Sequence, residues 1–583
     1  MSAEVNNFEQ LLAHVKPMGK WQISVYALIA YAQFWPSALN LIMVFIGITP
    51  SFHCEIPELH AANWTETEKR NLTTLANVEE CSVVDRNYSL EAEQPFNQVI
   101  TSLLPAAERN DTNTRPCDNV VFGKNGPMKT TLVSAFELVC NNKLGATHAQ
   151  AAYMLGMLLG ALICGPLADR IGRKPLIVVS GIATGATAIM TAYAPNFFWL
   201  LVFRFLSSFT TTPGWATMFT LALEITSAKY RTLIGAFFFL PYSFGYAFLS
   251  VVALLTRDWQ LICLWLAVPN FLVIAFICPV PTDQFFRLFP ESPRWLLLKG
   301  RVAEAERVIA TACLLNGSTV PSGFDLNELS KKMGEQEEMN NKSSKTILSL
   351  FACDRHPSRL KYPRLVGRAF NLYFNWIVNS MVYYGVSLNV GSLAGDVFLN
   401  NALMGLIEIP AYGLSFALML IGRKPALALT LFCAGVALLL VPWIPDTMAW
   451  LTVTLAMIGK MCISASFGIV YAFTTELYPT VVRTSGLASS SAAARIGSIS
   501  APYIADLGKL SADLAFLPMV VFGVFSLLAG LLTLWLPETK GRRLAEILEQ
   551  ATHLEKETAK ASNIYPMETR NKHIGPAESV VRY

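Results

Sequence analysis

The stretch DRIGRKPL (Asp169–Leu176) follows a long apolar run, and IGRKPAL (Ile421–Leu427) spells its core again about 250 residues later, after a second apolar run. Other pairs share that offset. Glu224 precedes Arg231 by seven residues in EITSAKYR, and Glu476 precedes Arg483 by the same interval in ELYPTVVR. PESPRW (290–295) and PETKG (537–541) form a third pair. The chain therefore reads as two similar halves.

Composition assigns both halves to a membrane. Of 583 residues, 53% are hydrophobic and only 15% charged, with a positive mean hydropathy, whereas soluble chains carry roughly 25% charged residues. A net charge of +4, dispersed in short basic clusters, gives no support to a nucleic-acid partner. Only a helix or a closed barrel satisfies every backbone group in lipid, and a helix needs about 20 apolar residues to cross. Twelve stretches meet that need, near 22–48, 149–168, 176–195, 199–223, 233–255, 260–280, 368–388, 398–421, 425–445, 449–474, 485–505 and 514–536. They are numbered here as spans 1 to 12. Span 1 follows about twenty polar and mixed residues and lacks a small-residue cleavage site after it, so it reads as a retained helix, not a signal peptide.

The expected fold is an all-α membrane protein of twelve transmembrane helices in two six-helix halves. Six spans per half give both halves the same orientation, as parallel repeats about an axis along the membrane normal, with a cavity between them. The expected domains are a cytoplasmic N-terminus (1–21), a first half (22–280) with an extracellular loop (49–147), a cytoplasmic linker (281–366), a second half (367–536) and a cytoplasmic tail (537–583).

Orientation follows from Lys and Arg in the short loops. Arg170, Arg173 and Lys174 follow span 2, Lys229 and Arg231 follow span 4, and Arg294, Lys299 and Arg301 follow span 6. Arg423 and Lys424 follow span 8, Arg483 follows span 10, and Lys540, Arg542 and Arg543 open the tail. Both termini are thus expected in the cytoplasm. The 49–147 loop then lies outside, and its content agrees: four Asn-X-Ser/Thr sequons, at Asn63, Asn71, Asn87 and Asn110, and four cysteines, Cys54, Cys81, Cys117 and Cys140. Glycans and disulfides both belong on that side. Four cysteines allow three connectivities, and the sequence does not choose. Asn316 and Asn341 also match the sequon but fall on the cytoplasmic side, where they should stay bare. Residues 325–345 read as a surface helix or a partly disordered stretch.

GPLADRIGRKP, PESPRWLL, TELYPTVVR, LPETKG and the large loop after span 1 together resemble the major facilitator superfamily, and within it the organic-ion transporters of the animal solute carriers. CPVPTDQFFRLF (278–289) is inserted relative to that pattern. The resemblance implies a gating network of Asp169, Arg173, Glu224, Arg231, Glu476 and Arg483, with Arg423 in the second copy of the doubled motif. An Arg-Lys pair with an acid on a tight loop can bridge to neighbouring acids and helix ends when the cytoplasmic mouth shuts. The second copy has Met419 and Leu420 where the first has Asp169 and Arg170, so the two latches should be unequal.

Charges in mid-membrane are costly and usually face a cavity. Glu408, beside Pro410 in span 8, and Arg495, in span 11, stand out, either as cavity groups or as an ion pair with each other. Arg204 and Lys460 are assigned to span ends, as snorkelling cations. Trp376, Asn379, Ser380 and Tyr383 form one stripe on span 7, and a cation can rest on such rings. Trp215, Tyr242, Tyr412, Phe467 and Tyr471 are similar candidates. The resemblance places Trp215, Trp376, Tyr383 and Glu408 on the cavity wall. It also makes Arg495 diagnostic, since cation carriers have Asp at the matching place while anion and carnitine-type carriers have Arg; Tyr412 matches the carnitine-type branch.

The function expected is therefore secondary transport of small organic ions across the plasma membrane by alternating access, with carnitine-like zwitterions or organic anions as substrates. The alternatives are an organic-cation carrier relying on Glu408, and a receptor that keeps the fold without transport. No GxxxxGK[ST] loop and no cluster of His and Cys supports an enzyme, a metal or a cofactor. The partners expected are the substrate, the lipid bilayer, a coupling ion (sodium or proton) and, through the terminal VVRY, a carboxylate-capturing domain.

Overall fold

The computed structural model describes residues 8–58, 114–117, 119–123, 126–276, 289–319, 325–343, 363–393, 395–479, 482–509 and 514–541, with short pieces between 64 and 99. The sequons Asn63, Asn71, Asn87 and Asn110, most of the 278–289 insertion, and the tail beyond Gly541 lie outside the described residues.

All twelve stretches hold helix among their described residues. Seven are long and apolar enough to cross a membrane by length and composition, and the helices of spans 6 and 12 are shorter apolar ones. The remaining three are Phe197–Glu224, Pro363–Leu388 and Arg483–Ala505 (spans 4, 7 and 11). These carry many Ser, Thr, Asn, Tyr and Arg residues, and all three contribute to the wall of the central cavity. Their polarity follows from facing protein and cavity instead of lipid. Pro36, Pro166, Pro213 and Pro502 sit inside helices. Each removes one backbone donor and allows a bend.

The bundle has two distinguishable ends. The loop end carries the segment between spans 1 and 2; the repeat end carries both Ile-Gly-Arg-Lys-Pro turns. At the loop end the chain departs from an all-α reading. Strand β1 (Phe52–Glu55) pairs antiparallel with β5 (Asn119–Phe122), and β2 (Asn77–Glu79), β3 (Ser82–Val84) and β4 (Thr114–Pro116) form a second small sheet. Short strands are tolerated there because water, unlike lipid, satisfies their edges. Cys54 bonds Cys117 and Cys81 bonds Cys140, which selects one of the three connectivities.

The halves meet toward the loop end. Thr147 of span 2 donates to Asp506 after span 11, and His148 Nδ1 lies 3.0 Å from Tyr503 Oη. Asn401 Nδ2 of span 8 donates to Ser250 Oγ of span 5 at 2.8 Å, and Phe45 stacks on Phe398 with centroids 5.3 Å apart. At the repeat end, by contrast, the described charges pair within their own half, and Ile171, Leu420 and Ile421 are exposed.

Candidate functional site

Both copies of the doubled motif do the same local work. Gly172 ends span 2 with φ +99°, and Arg173–Ala192 begins at the next residue. The first amides of that helix have no partner within it. Glu291, from PESPRW, supplies one: its Oε1 accepts from Arg173 N at 2.9 Å and its Oε2 from Lys174 N at 3.2 Å. In the second half Glu538, from PETKG, accepts from Arg423 N at 3.0 Å and Lys424 N at 3.1 Å. A carboxylate at a helix N-terminus also gains from the helix dipole. Glycine at 172 suits its φ of +99°, and a Cβ at either Gly172 or Gly422 would meet the capping carboxylate, Glu291 Oε2 or Glu538 Oε2, and push it from the helix amides. Proline is harmless in the first turn, where its missing N–H has no intrahelical role.

The arginines then reach back. Arg173 forms two hydrogen bonds to Glu224, at 3.0 and 3.2 Å, and a 3.2 Å ion pair with Asp169. Arg423 pairs with Glu476 at 3.0 Å and donates to the Met419 carbonyl at 2.9 Å. So Glu224 and Glu476 serve the doubled motif, not the arginines seven residues later. Arg231 instead pairs with Glu9 of the N-terminal helix Phe8–His14 at 2.7 Å. Among the described residues Arg483 reaches the Tyr478 carbonyl, at 3.4 Å, and its Nη2 is buried without a partner. The two capping acids differ: burial pushes the Glu291 carboxyl up, against its three backbone donors, whereas at Glu538 burial is outweighed by the N–H groups of Lys540, Arg423, Lys424 and Thr539, which hold it down.

Between the halves lies a cavity of about 150 Å³, room for a benzene-sized group. Trp215, Tyr242, Trp376, Tyr383, Tyr412, Phe467, Tyr471 and Arg495 all line it. Span 7 brings only Trp376 and Tyr383 of its stripe to the wall; Asn379, which accepts from Ser466, and Ser380 are buried away from it. Trp376 packs edge-on to Tyr471 (4.4 Å) and Phe467 (6.1 Å), and its Nε1 donates to Thr474 at 2.9 Å. The Gln33 amide, oriented to accept from Trp215 Nε1 at 3.0 Å, fixes the ring on span 4.

Glu408 differs from expectation. Span 8 breaks at Ile407, between Val397–Leu406 and Glu408–Met419, because Pro410 lacks an N–H and its ring displaces the Leu406 carbonyl. The Glu408 carboxylate is fully buried behind the cavity wall, accepting from Tyr383 Oη at 2.5 Å, Ser243 Oγ at 3.1 Å and Tyr412 Oη at 3.4 Å. Its ionic partner is Lys460, 3.0 Å away and equally buried, and not Arg495. The assignment of Lys460 to a span end is therefore corrected. It lies eleven residues into Ala449–Leu477, about 17 Å deep at 1.5 Å per residue. Counting that rise would have found it. Arg204 is likewise buried, not snorkelling: it bonds Gln150 Oε1 at 2.9 Å and lies 4.5 Å from the Tyr153 ring centroid.

Arg495 is left as the charge on the wall. Its Nη1 faces Met157 Sδ at 2.7 Å, its Nε is buried without a hydrogen-bond partner, and it forms no ion pair among the described residues.

Residues 118–551 match the family described as sugar (and other) transporter. The chain is 31% identical to the organic cation transporter protein of Drosophila melanogaster, over 95% of this chain and 96% of that one. It is 30% identical to human organic cation/carnitine transporter 2, over 94% of each. Its fold matches the partially occluded inward-open xylose transporter XylE of E. coli with a TM-score of 0.56, at 13% identity, over 90% of this chain and all of that one. The doubled motif, the two six-helix halves and these likenesses agree, and the chain belongs to the sugar (and other) transporter family of the major facilitator superfamily, as a multi-pass membrane transporter and not an enzyme.

Proposed function

We propose that this transporter carries small organic ions bearing a carboxylate, either anions or carnitine-like zwitterions. One observation carries the reading. The acid beside the cavity is already neutralised by Lys460, whereas Arg495, on the wall, keeps an unsatisfied guanidinium donor. A guanidinium in a site shielded from water holds a carboxylate by paired, charge-assisted hydrogen bonds. The aromatic wall accommodates the remainder of the substrate.

The carrier works by alternating access in the plasma membrane, with both termini cytoplasmic and the disulfide-bearing loop outside, where disulfides persist. In the state described here the halves are joined at the loop end, so the cavity faces the cytoplasm. In the opposite state Asp169, Arg173, Glu224, Arg231, Arg423, Glu476 and Arg483 close the repeat end. Arg483, with a buried donor unpaired in this state, is suited to gain a partner there. A sodium ion or proton couples the cycle.

A second reading, an organic-cation carrier, draws on the aromatic lining and on relatives whose names specify organic cations. Uptake into proteoliposomes of a monocarboxylate, a carnitine-like zwitterion and a tetraalkylammonium separates the two. The carboxylate reading expects the first or second to be carried and Arg495→Ala to abolish it. Wild-type preference for the simple cation establishes the second reading instead.

A further inference from the structure

The Arg495 guanidinium has a partner that does not match it. Its Nη1 lies 2.7 Å from Met157 Sδ, while its Nε is buried without a hydrogen-bond partner among the described residues. A thioether sulfur is only a weak acceptor, whereas a charged donor forms its strong bonds with carboxylate oxygens. Met157 belongs to the span 2 helix Gly145–Ile171 and Arg495 to the span 11 helix Arg483–Ala505, so the contact joins the two halves at the wall of the cavity, which both residues line. It continues the seam that Thr147–Asp506 and His148–Tyr503 make farther toward the loop end. In alternating access that seam has to part. Methionine suits a temporary contact, because its unbranched, flexible side chain can swing aside without disturbing its helix.

A second group on the same wall lacks a partner. Tyr153 precedes Met157 by four residues, which puts both on one face of the span 2 helix. Its ring is held against Arg204, whose guanidinium carbon lies 4.5 Å from the centroid, but its hydroxyl is buried and unpaired among the described residues. A buried hydroxyl with no partner is destabilising, and its presence on a cavity wall asks for a ligand that would supply one. Tyr153 Oη can donate, as Arg495 Nε and Nη1 do, and a carboxylate offers two oxygens to such a set.

We propose that Met157 is a displaceable cover on the carboxylate subsite: its thioether occupies Arg495 until a substrate carboxylate takes its place, held by the guanidinium and by the Tyr153 hydroxyl. The inference rests on the carboxylate reading above and deepens it. Two residues of the first half then set affinity in opposite directions. Met157 competes with the substrate, and Tyr153 completes its site.

Equilibrium binding of radiolabelled benzoate to the purified full-length carrier, with proteoliposome uptake alongside, tests it in wild type, Met157→Leu and Tyr153→Phe. Both substitutions nearly conserve shape. Met157→Leu removes the competing acceptor and is expected to lower the benzoate Kd about threefold, the scale of one weak neutral hydrogen bond. Tyr153→Phe removes one bond to a charged group and is expected to raise the Kd about tenfold or more. Its melting temperature without benzoate is expected to equal or exceed that of wild type, because the hydroxyl it removes is unpaired in this state. A merely structural tyrosine would not separate those two readouts.

A Met157→Leu carrier that binds benzoate as wild type does, or more weakly, overturns the cover. A Tyr153→Phe carrier with wild-type affinity, or one whose weaker binding comes with a lower melting temperature, overturns the place of the hydroxyl in the subsite. Either result leaves the carboxylate reading intact as long as wild type binds benzoate in preference to tetraethylammonium. Wild-type preference for tetraethylammonium overturns that reading, and the cover with it.

Discussion

Arg173 and Arg423 stand at the same place in their halves, each at the first residue of a helix whose amides are capped by a glutamate from the half's last motif. Arg173 meets two carboxylates, Glu224 and Asp169, whereas Arg423 meets Glu476 and the carbonyl of Met419. The cavity shows the reverse imbalance. The first half gives its wall Trp215, Tyr242 and other uncharged groups, while Arg495 on the wall and the Glu408–Lys460 pair buried behind it come from the second. Duplication preserved the turns, where each helix end must be capped whatever is transported. It left the two walls free to diverge, since a cavity needs only one set of charges.

The sharpest way to break this comparison is at the wall. Arg495→Ala should abolish carboxylate uptake, because losing one partner of a buried charge pair costs about 2–5 kcal/mol, and Trp215→Ala in the first half should cost less. Uptake assays of both variants check it; an Arg495→Ala carrier with wild-type uptake would make the arginine structural. The turns come next. Arg173→Ala leaves Glu224, 12% exposed, without its cation, and removing one member of a buried pair is destabilising by about 3–5 kcal/mol. Arg423→Ala should be milder, since that pair is 27% and 22% exposed. Melting temperatures of the two purified variants decide the order.

Asp169 is 69% exposed, so as an i,i+4 pair it is worth only about 0.4 kcal/mol, roughly a twofold effect. If it also helps to close the repeat end in the opposite state, Asp169→Asn should slow transport by more than twofold without changing equilibrium binding or the amount of protein in the membrane. Normal turnover in that variant would remove the gating role. The smallest effect distinguishes the caps. Glu538 has a depressed pKa in the folded protein, so its stabilisation is present above its unfolded value and lost as pH falls through the folded one. Glu291 has a raised pKa, so its contribution is full below the unfolded value and declines as pH rises through the folded one. The gap in melting temperature between wild type and Glu538→Gln should therefore narrow on acidification, and the gap to Glu291→Gln should widen. Parallel trends would show the two caps to be equivalent.

The repeat offset made the halves legible, because duplicated turns leave identical residues at fixed separation. The twelve spans were legible because lipid demands about 20 apolar residues in a row. The cavity aromatics were found because helical spacing puts Trp376 and Tyr383 on one face. Short strands in the loop were not found, since three- and four-residue strands carry too few residues for an alternation to show.

Sequence by itself determined the membrane class, from composition, and the two halves, from the repeat offset. It named several aromatics of the cavity wall but also placed Glu408 there, which lies behind it. Only the tertiary structure decided which charges are partners. Glu224 lies seven residues from Arg231 yet bonds Arg173, 51 residues away, and Glu408 bonds Lys460 instead of Arg495. Spacing along a helix cannot reveal a partner on another helix, and in a bundle the strongest electrostatic interactions are made between helices, where burial removes the screening of water.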